Sequence, residues 1–108
     1  MAKAPPSAQR NRIQPHFPAL VDYTNDVIYG DLWERKGLSK RDRSLVTVAA
    51  LTASYRPTQL RTHVKRALEN GVTKEEIAEV ITHLAFYSGW PAAMTAAQSA
   101  TDVYEGKE

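Results

Sequence analysis

The stretch RTHVKRALENGVTKEEIAEVITHLAFYSGWPAA, Arg61–Ala93, decides the fold. Leu60, His63, Val64, Ala67 and Leu68 recur at three- and four-residue spacing, which predicts a helix with one apolar face. Pro57 suits the first turn of that helix, and Gly71 after Asn70 supplies a left-handed end. Thr73-Lys74-Glu75-Glu76 then reads as a capping box, in which Thr73 and Glu76 each cover the other's backbone donor. Ile77, Val80, Ile81, Leu84 and Ala85 form the apolar face of the next helix, and Gly89 ends it. Pro91 opens a last helix built largely of Ala, Met, Thr and Ser, side chains small enough to let helix backbones approach closely.

Working outward, GLSKRDRSLVTVAAL at Gly37–Leu51 predicts a further helix. Ser39 is a good N-cap, and Asp42 favours the positive end of the helix dipole. Leu45, Val48, Ala49 and Thr52 run along one side of this helix, and Val46, Ala50 and Ala53 along another. Apolar character on two sides exceeds what a short four-helix monomer buries, and so points to an oligomer. Upstream, Leu20, Val21, Val27, Ile28 and Leu32 predict one helix over 18–35, stopped by Gly37. Residues 1–15, rich in Pro, Ser, Ala, Gln and Arg, read as a flexible arm. No alternating strand pattern competes. The expectation is an all-α domain of about five helices over 16–108.

Composition narrows the function classes. With 108 residues the chain is one domain, and 43% hydrophobic with 24% charged residues is ordinary for a globular protein. No apolar run approaches the ~18 residues of a spanning helix, and the N-terminus lacks the apolar core of a secretory signal. A cytoplasmic location and no membrane partner are therefore expected. The net charge is +2, and Lys3, Arg10 and Arg12 concentrate it in an acid-free leader. A near-neutral body argues against a nucleic-acid partner. A helix-turn-helix reading over Arg61–Tyr87 meets Glu75, Glu76 and Glu79 where a recognition helix needs basic or amide groups.

Few residues offer chemistry. His63 sits on the apolar face of its helix, one turn beyond Gln59 and two turns beyond Arg56, and two readings stand: a core histidine bonded to backbone, or a pocket residue. His83 has Glu79 and Tyr87 four residues to either side; a neighbouring carboxylate raises an imidazole pKa, which suits a general acid, whereas a half-exposed polar stripe is the plainer reading. Arg56, between Tyr55 and Pro57 at a helix start, makes a carboxylate-binding corner or a solvated loop arginine. Arg43 is a weaker candidate of the same kind. Tyr87 and Trp90 flank Gly89 as pocket wall or core edge. No metal site is expected: His16, His63 and His83 lack ligand spacing, and there is no cysteine. A Gly-rich phosphate loop and a Gly-x-Ser-x-Gly elbow are both missing.

RDRSLVTVAAL, the His63-to-Gly71 spacing, GVTKEEIAEVI and YSGWPAA together resemble the carboxymuconolactone decarboxylase family, whose relatives include the alkyl-hydroperoxidase (AhpD-like) branch. The resemblance covers about Leu32 to Val103. It implies an AhpD-like helical fold, assembled as trimers or hexamers, and cofactor-free loss of carbon dioxide from a lactone carboxylic acid in aromatic-compound breakdown. The peroxidase branch works through a Cys-x-x-Cys pair, whose positions fall on Arg56 and Gln59, and a glutamate, which falls on Ser44. Thiol peroxidase chemistry is thus excluded, and the expectation is a decarboxylase of a small-molecule carboxylate. In that scheme Arg56 anchors the substrate carboxylate, Tyr55, Tyr87 and Trp90 line the pocket, and His63 or His83 protonates the carbanion. A catalytically silent, oligomeric relative is the alternative. The short Asn70–Val72 turn further predicts that its two helices pack as antiparallel neighbours. Both imidazoles would then border one cavity, offset by about 7 Å in height.

Overall fold

The computed structural model describes residues 4–107. Of the expected arm, residues 1–3 with Lys3 lie outside the described residues, as does residue 108 of the expected domain. The described residues hold six α-helices, one π-helical turn, one 3-10 turn and no strand. They divide after Leu38 into two compact units.

In the first unit, α1 (Ala8–Ile13) falls inside the stretch whose composition suggested an arm. Ser7 caps it, its hydroxyl accepting the Arg10 N–H at 3.1 Å. The Arg10 side chain donates to Asn25 and to the Pro5 carbonyl, and its guanidinium lies over the Tyr29 ring. The single helix expected over 18–35 is not present. α2 (Pro18–Tyr23) passes into a π-helical turn at Thr24–Tyr29, and a 3-10 turn at Leu32–Glu34 follows. A π turn inserts an extra residue and rotates everything after it, so the apolar face read from helical periodicity breaks up. Val21 and Tyr29 are buried, whereas Leu20, Val27, Ile28 and Leu32 are exposed. Gly30 ends the π turn where a Cβ would sit 2.5 Å from the Asp26 carbonyl oxygen, closer than any side chain allows.

The second unit is a four-helix arrangement of α3 (Lys40–Ala53), α4 (Pro57–Glu69), α5 (Lys74–Ser88) and α6 (Trp90–Tyr104). The expected caps are in place. Ser39 accepts the Asp42 N–H, and Thr73 and Glu76 close their reciprocal pair at 3.1 and 3.0 Å. Glu76 also receives the Arg41 guanidinium, which ties the start of α5 to α3. Gly71 sits at φ +96°, and the paired bonds Val72 N–H to Ala67 carbonyl and Gly71 N–H to Leu68 carbonyl make a Schellman end for α4.

That same end corrects the expected packing. Val72 is buried in the core cluster with Val48, Leu60, Val64, Ala67, Ile77 and Ile81. The turn itself runs at the surface, Gly71 and Thr73 being exposed, and it carries the chain from α4 across to a helix that is not its packing neighbour. α4 packs on α3 and α6, α5 packs on the same two helices from the other side, and α3 touches α6 across the centre. α4 and α5, expected as antiparallel neighbours, do not pack along one another. Ala93, Ala96 and Ala100 let α6 sit close against its partners. On α3, Val48 and Thr52 are buried, and Val46, Ala50 and Ala53 stay exposed.

Candidate active site

The start of α4 is set by the end of α3. Tyr55 N–H bonds the Thr52 carbonyl and Arg56 N–H bonds the Leu51 carbonyl, a second Schellman end, with Tyr55 where glycine usually stands. Tyr55 holds φ +58°, a left-handed conformation that costs a side-chain-bearing residue about 1–2 kcal/mol. Its ring is exposed, and Arg56, the N-cap of α4, is exposed beside it.

From Arg56 a polar stripe runs down α4 at alternating three- and four-residue steps: Gln59, His63, Arg66 and Asn70. It borders the buried stripe of Leu60, Val64 and Ala67. The stripe becomes more enclosed along its length. Arg56 and Gln59 are exposed, His63 is half-buried and Arg66 is buried. At its far end Asn70 Nδ2 donates to Ser44 Oγ at 3.0 Å, fixing α4 to buried Ser44 of α3. Burial of the ring, reinforced by the nearby Arg66 charge, lowers the His63 pKa from 6.5 to about 4. At neutral pH His63 is a neutral imidazole.

The other sequence candidates lie apart from this stripe. His83 is exposed on α5 and stacks on Tyr87, ring centroids 4.8 Å apart. Phe86 meets Trp90 edge to face at 5.7 Å. These side chains are surface groups: Phe86 is 76%, Tyr87 80%, Trp90 57% and Met94 62% exposed. A single cavity bordered by both histidines required α4 and α5 side by side, and that adjacency is absent. An open groove of about 600 Å³ flanks α4, and neither His63 nor Arg56 is on its walls.

Sequence reasoning singled out Tyr55, Arg56 and His63 and passed over Arg66 and Asn70. The signal for those two was available, since the polar positions keep helical spacing beside the apolar ones. Among the described residues no three His, Asp or Glu side chains converge as metal ligands, and no helix is long and apolar enough to cross a membrane.

The profile of the carboxymuconolactone decarboxylase family matches residues 18–102. The chain belongs to that family. The chain is 43% identical over 77 residues to 4-carboxymuconolactone decarboxylase of Acinetobacter baylyi, covering 71% of this chain and 58% of that protein. It is 37% identical over 68 residues to nitrosuccinic acid decarboxylase of Metarhizium robertsii, covering 63% and 48%. An uncharacterized 15.0 kDa protein of Paracoccus denitrificans is 38% identical over 95 residues, covering 86% and 69%. The chain thus spans about half the length of the two named decarboxylases.

Proposed function

We propose that this family member is a carboxy-lyase acting on a small carboxylic acid whose departing carbon dioxide leaves a delocalised carbanion. Two similar proteins are named as decarboxylases of different acids, and the observation that carries the residue assignment is the stripe from Arg56 to Arg66 with a neutral His63 in it. The substrate we favour is a lactone carboxylic acid of the 4-carboxymuconolactone kind.

In this reading Arg56, exposed at the open end of the stripe, receives the anionic substrate, and the Tyr55 ring lies beside the entry. The bond between the carboxyl carbon and the substrate skeleton breaks, and its electron pair passes into the conjugated acceptor of the substrate. A proton must then reach the carbanionic carbon. His63 carries no such proton in the free protein at pH 7. A substrate anion seated between His63 and Arg66 offsets the Arg66 charge, the lesser cause of the low pKa after burial of the ring, and its own negative charge draws a proton from solvent onto the imidazole. Substrate binding in this way arms the acid. His83, exposed and stacked on Tyr87, is the fallback donor. No thiol route is open, the chain having no cysteine.

Self-association completes the proposal. Exposed Phe86, Tyr87, Trp90 and Met94, together with the exposed Val46 side of α3, give more apolar surface than a monomer usually leaves in water. Tyr87 and Trp90, expected as pocket walls, fit a subunit boundary better than a pocket within one chain. The test is direct. The pure 108-residue chain is incubated with 4-carboxymuconolactone and, separately, with nitrosuccinic acid, and carbon dioxide release is followed. Release above the buffer rate from the lactone acid supports the reading; no release from either acid contradicts it.

A further inference from the structure

α4 has a second built flank. At about 100° per residue, Thr62, Lys65 and Leu68 turn away from the His63 stripe and toward α6. They border the open groove of about 600 Å³, whose opposite wall carries Val103 and Lys107. The volume falls in the range of small-ligand sites, roughly 300–1,000 Å³. Arg61 also reaches it, held by Asp102 of α6 at 2.9 Å. Lys107 is paired with Glu105 at 3.0 Å. Lys65 stands differently, with no acidic partner among the described residues.

The hydroxyls tell the same story. Thr47, Thr52 and Thr101 each donate to the carbonyl four residues back, at 2.8 Å. Thr62 makes no such bond among the described residues, so its hydroxyl remains available at the groove one turn from Lys65. Leu68 and Val103, half-buried, give the same groove an apolar portion. One cation without an acidic partner, the open hydroxyls of Thr62 and Thr58, and an apolar patch describe a partner with one negative group and a short hydrocarbon body.

We propose that the groove between α4 and α6 is a binding site for a small organic monocarboxylate, its carboxylate on Lys65 and Thr62 and its apolar body on Leu68 and Val103. The site stands apart from the decarboxylase reading, because it uses the other flank of α4 and none of the residues from Arg56 to Asn70 on the stripe.

Titration of the ¹⁵N-labelled full chain with hexanoate tests it. Saturable shifts are expected at the amides of Arg61, Thr62, Lys65, Val103 and Lys107. Lys65→Glu, an exposed change that leaves the remaining spectrum in place, should weaken hexanoate binding at least about tenfold, or about 1.4 kcal/mol. Lys65→Gln should fall between the two. Inorganic phosphate should bind these amides more weakly than hexanoate, and hexylammonium should not bind them. The proposal fails if hexanoate produces no saturable shift here, or if Lys65→Glu binds as well as the wild type. Equal binding of phosphate or of hexylammonium also overturns it. So does hexanoate shifting the amides of Arg56, Gln59 and His63 instead, a result that would locate carboxylate recognition at the proposed active site alone.

Discussion

Charging His63 should cost the folded protein stability, and the size of that cost follows from its surroundings. The unfolded chain titrates its histidine near 6.5, while burial and Arg66 hold His63 in the fold at about 4. As the pH falls, the unfolded state therefore takes up the proton first. The stability tied to neutral His63 is fully present above about pH 6.5 and is lost progressively as the pH falls to about 4. At about 1.36 kcal/mol per pKa unit the upper bound is about 3 kcal/mol. The ring is only half-buried, so solvent screening reduces the expected loss to ~1–2 kcal/mol. The perturbation is His63→Gln, which removes the titration and keeps a polar side chain. Urea unfolding of both proteins at matched concentration, at pH 7, 6, 5 and 4, gives the difference directly. Glu76 also titrates anomalously, its carboxylate held low by the Thr73 N–H and then by Arg41, but it is common to both proteins and cancels. The wild type should lose ~1–2 kcal/mol more than His63→Gln between pH 7 and 4. Equal losses would show that His63 is well solvated and would remove the premise of an acid armed by substrate.

Three further outcomes are expected. Tyr55→Gly relieves a left-handed conformation, and after the entropy cost of glycine it should raise stability by ~0.5–1 kcal/mol in urea unfolding while weakening substrate binding; a loss of stability would mean the ring packs more than its exposure suggests. Ser44→Ala leaves the Asn70 amide without its acceptor and should cost ~1–2 kcal/mol in the same assay, a cost that Asn70→Leu in the Ser44→Ala background should partly restore; an unchanged midpoint would show that the pair contributes nothing. Light scattering at micromolar concentration should give a mass above 12.0 kDa, and Trp90→Glu with Phe86→Glu should lower it; a monomer mass for the wild type would refute self-association.

The second unit was legible because its punctuation is local. Ser39, Pro57, Asn70-Gly71, the Thr73–Glu76 box and Pro91 each act on backbone groups within a few residues, and each stands where its chemistry requires. Two kinds of information were out of reach. Periodicity assumes 3.6 residues per turn, so it ran straight through the π turn at Thr24–Tyr29 and joined faces that the extra residue separates. Loop length suggested that α4 and α5 are neighbours, but each packs instead on α3 and α6, an arrangement set by contacts between residues distant in sequence. At the site, the polar stripe can be drawn from the sequence alone, whereas its gradient from exposed Arg56 to buried Arg66 cannot. That gradient depends on how the chain packs around α4, and the half-buried place it gives His63 is what keeps the imidazole neutral.

The central claim is that His63, and not His83, carries the chemistry. Steady-state kcat/KM for carbon dioxide release from 4-carboxymuconolactone, measured for the wild type, His63→Ala and His83→Ala, tests it most directly. A positioned acid is worth roughly 10²–10⁴-fold. The account predicts a loss of at least about 100-fold for His63→Ala with assembly intact, and a change within about threefold for His83→Ala. The reverse pattern, or a His63→Ala protein that keeps its rate, would contradict it.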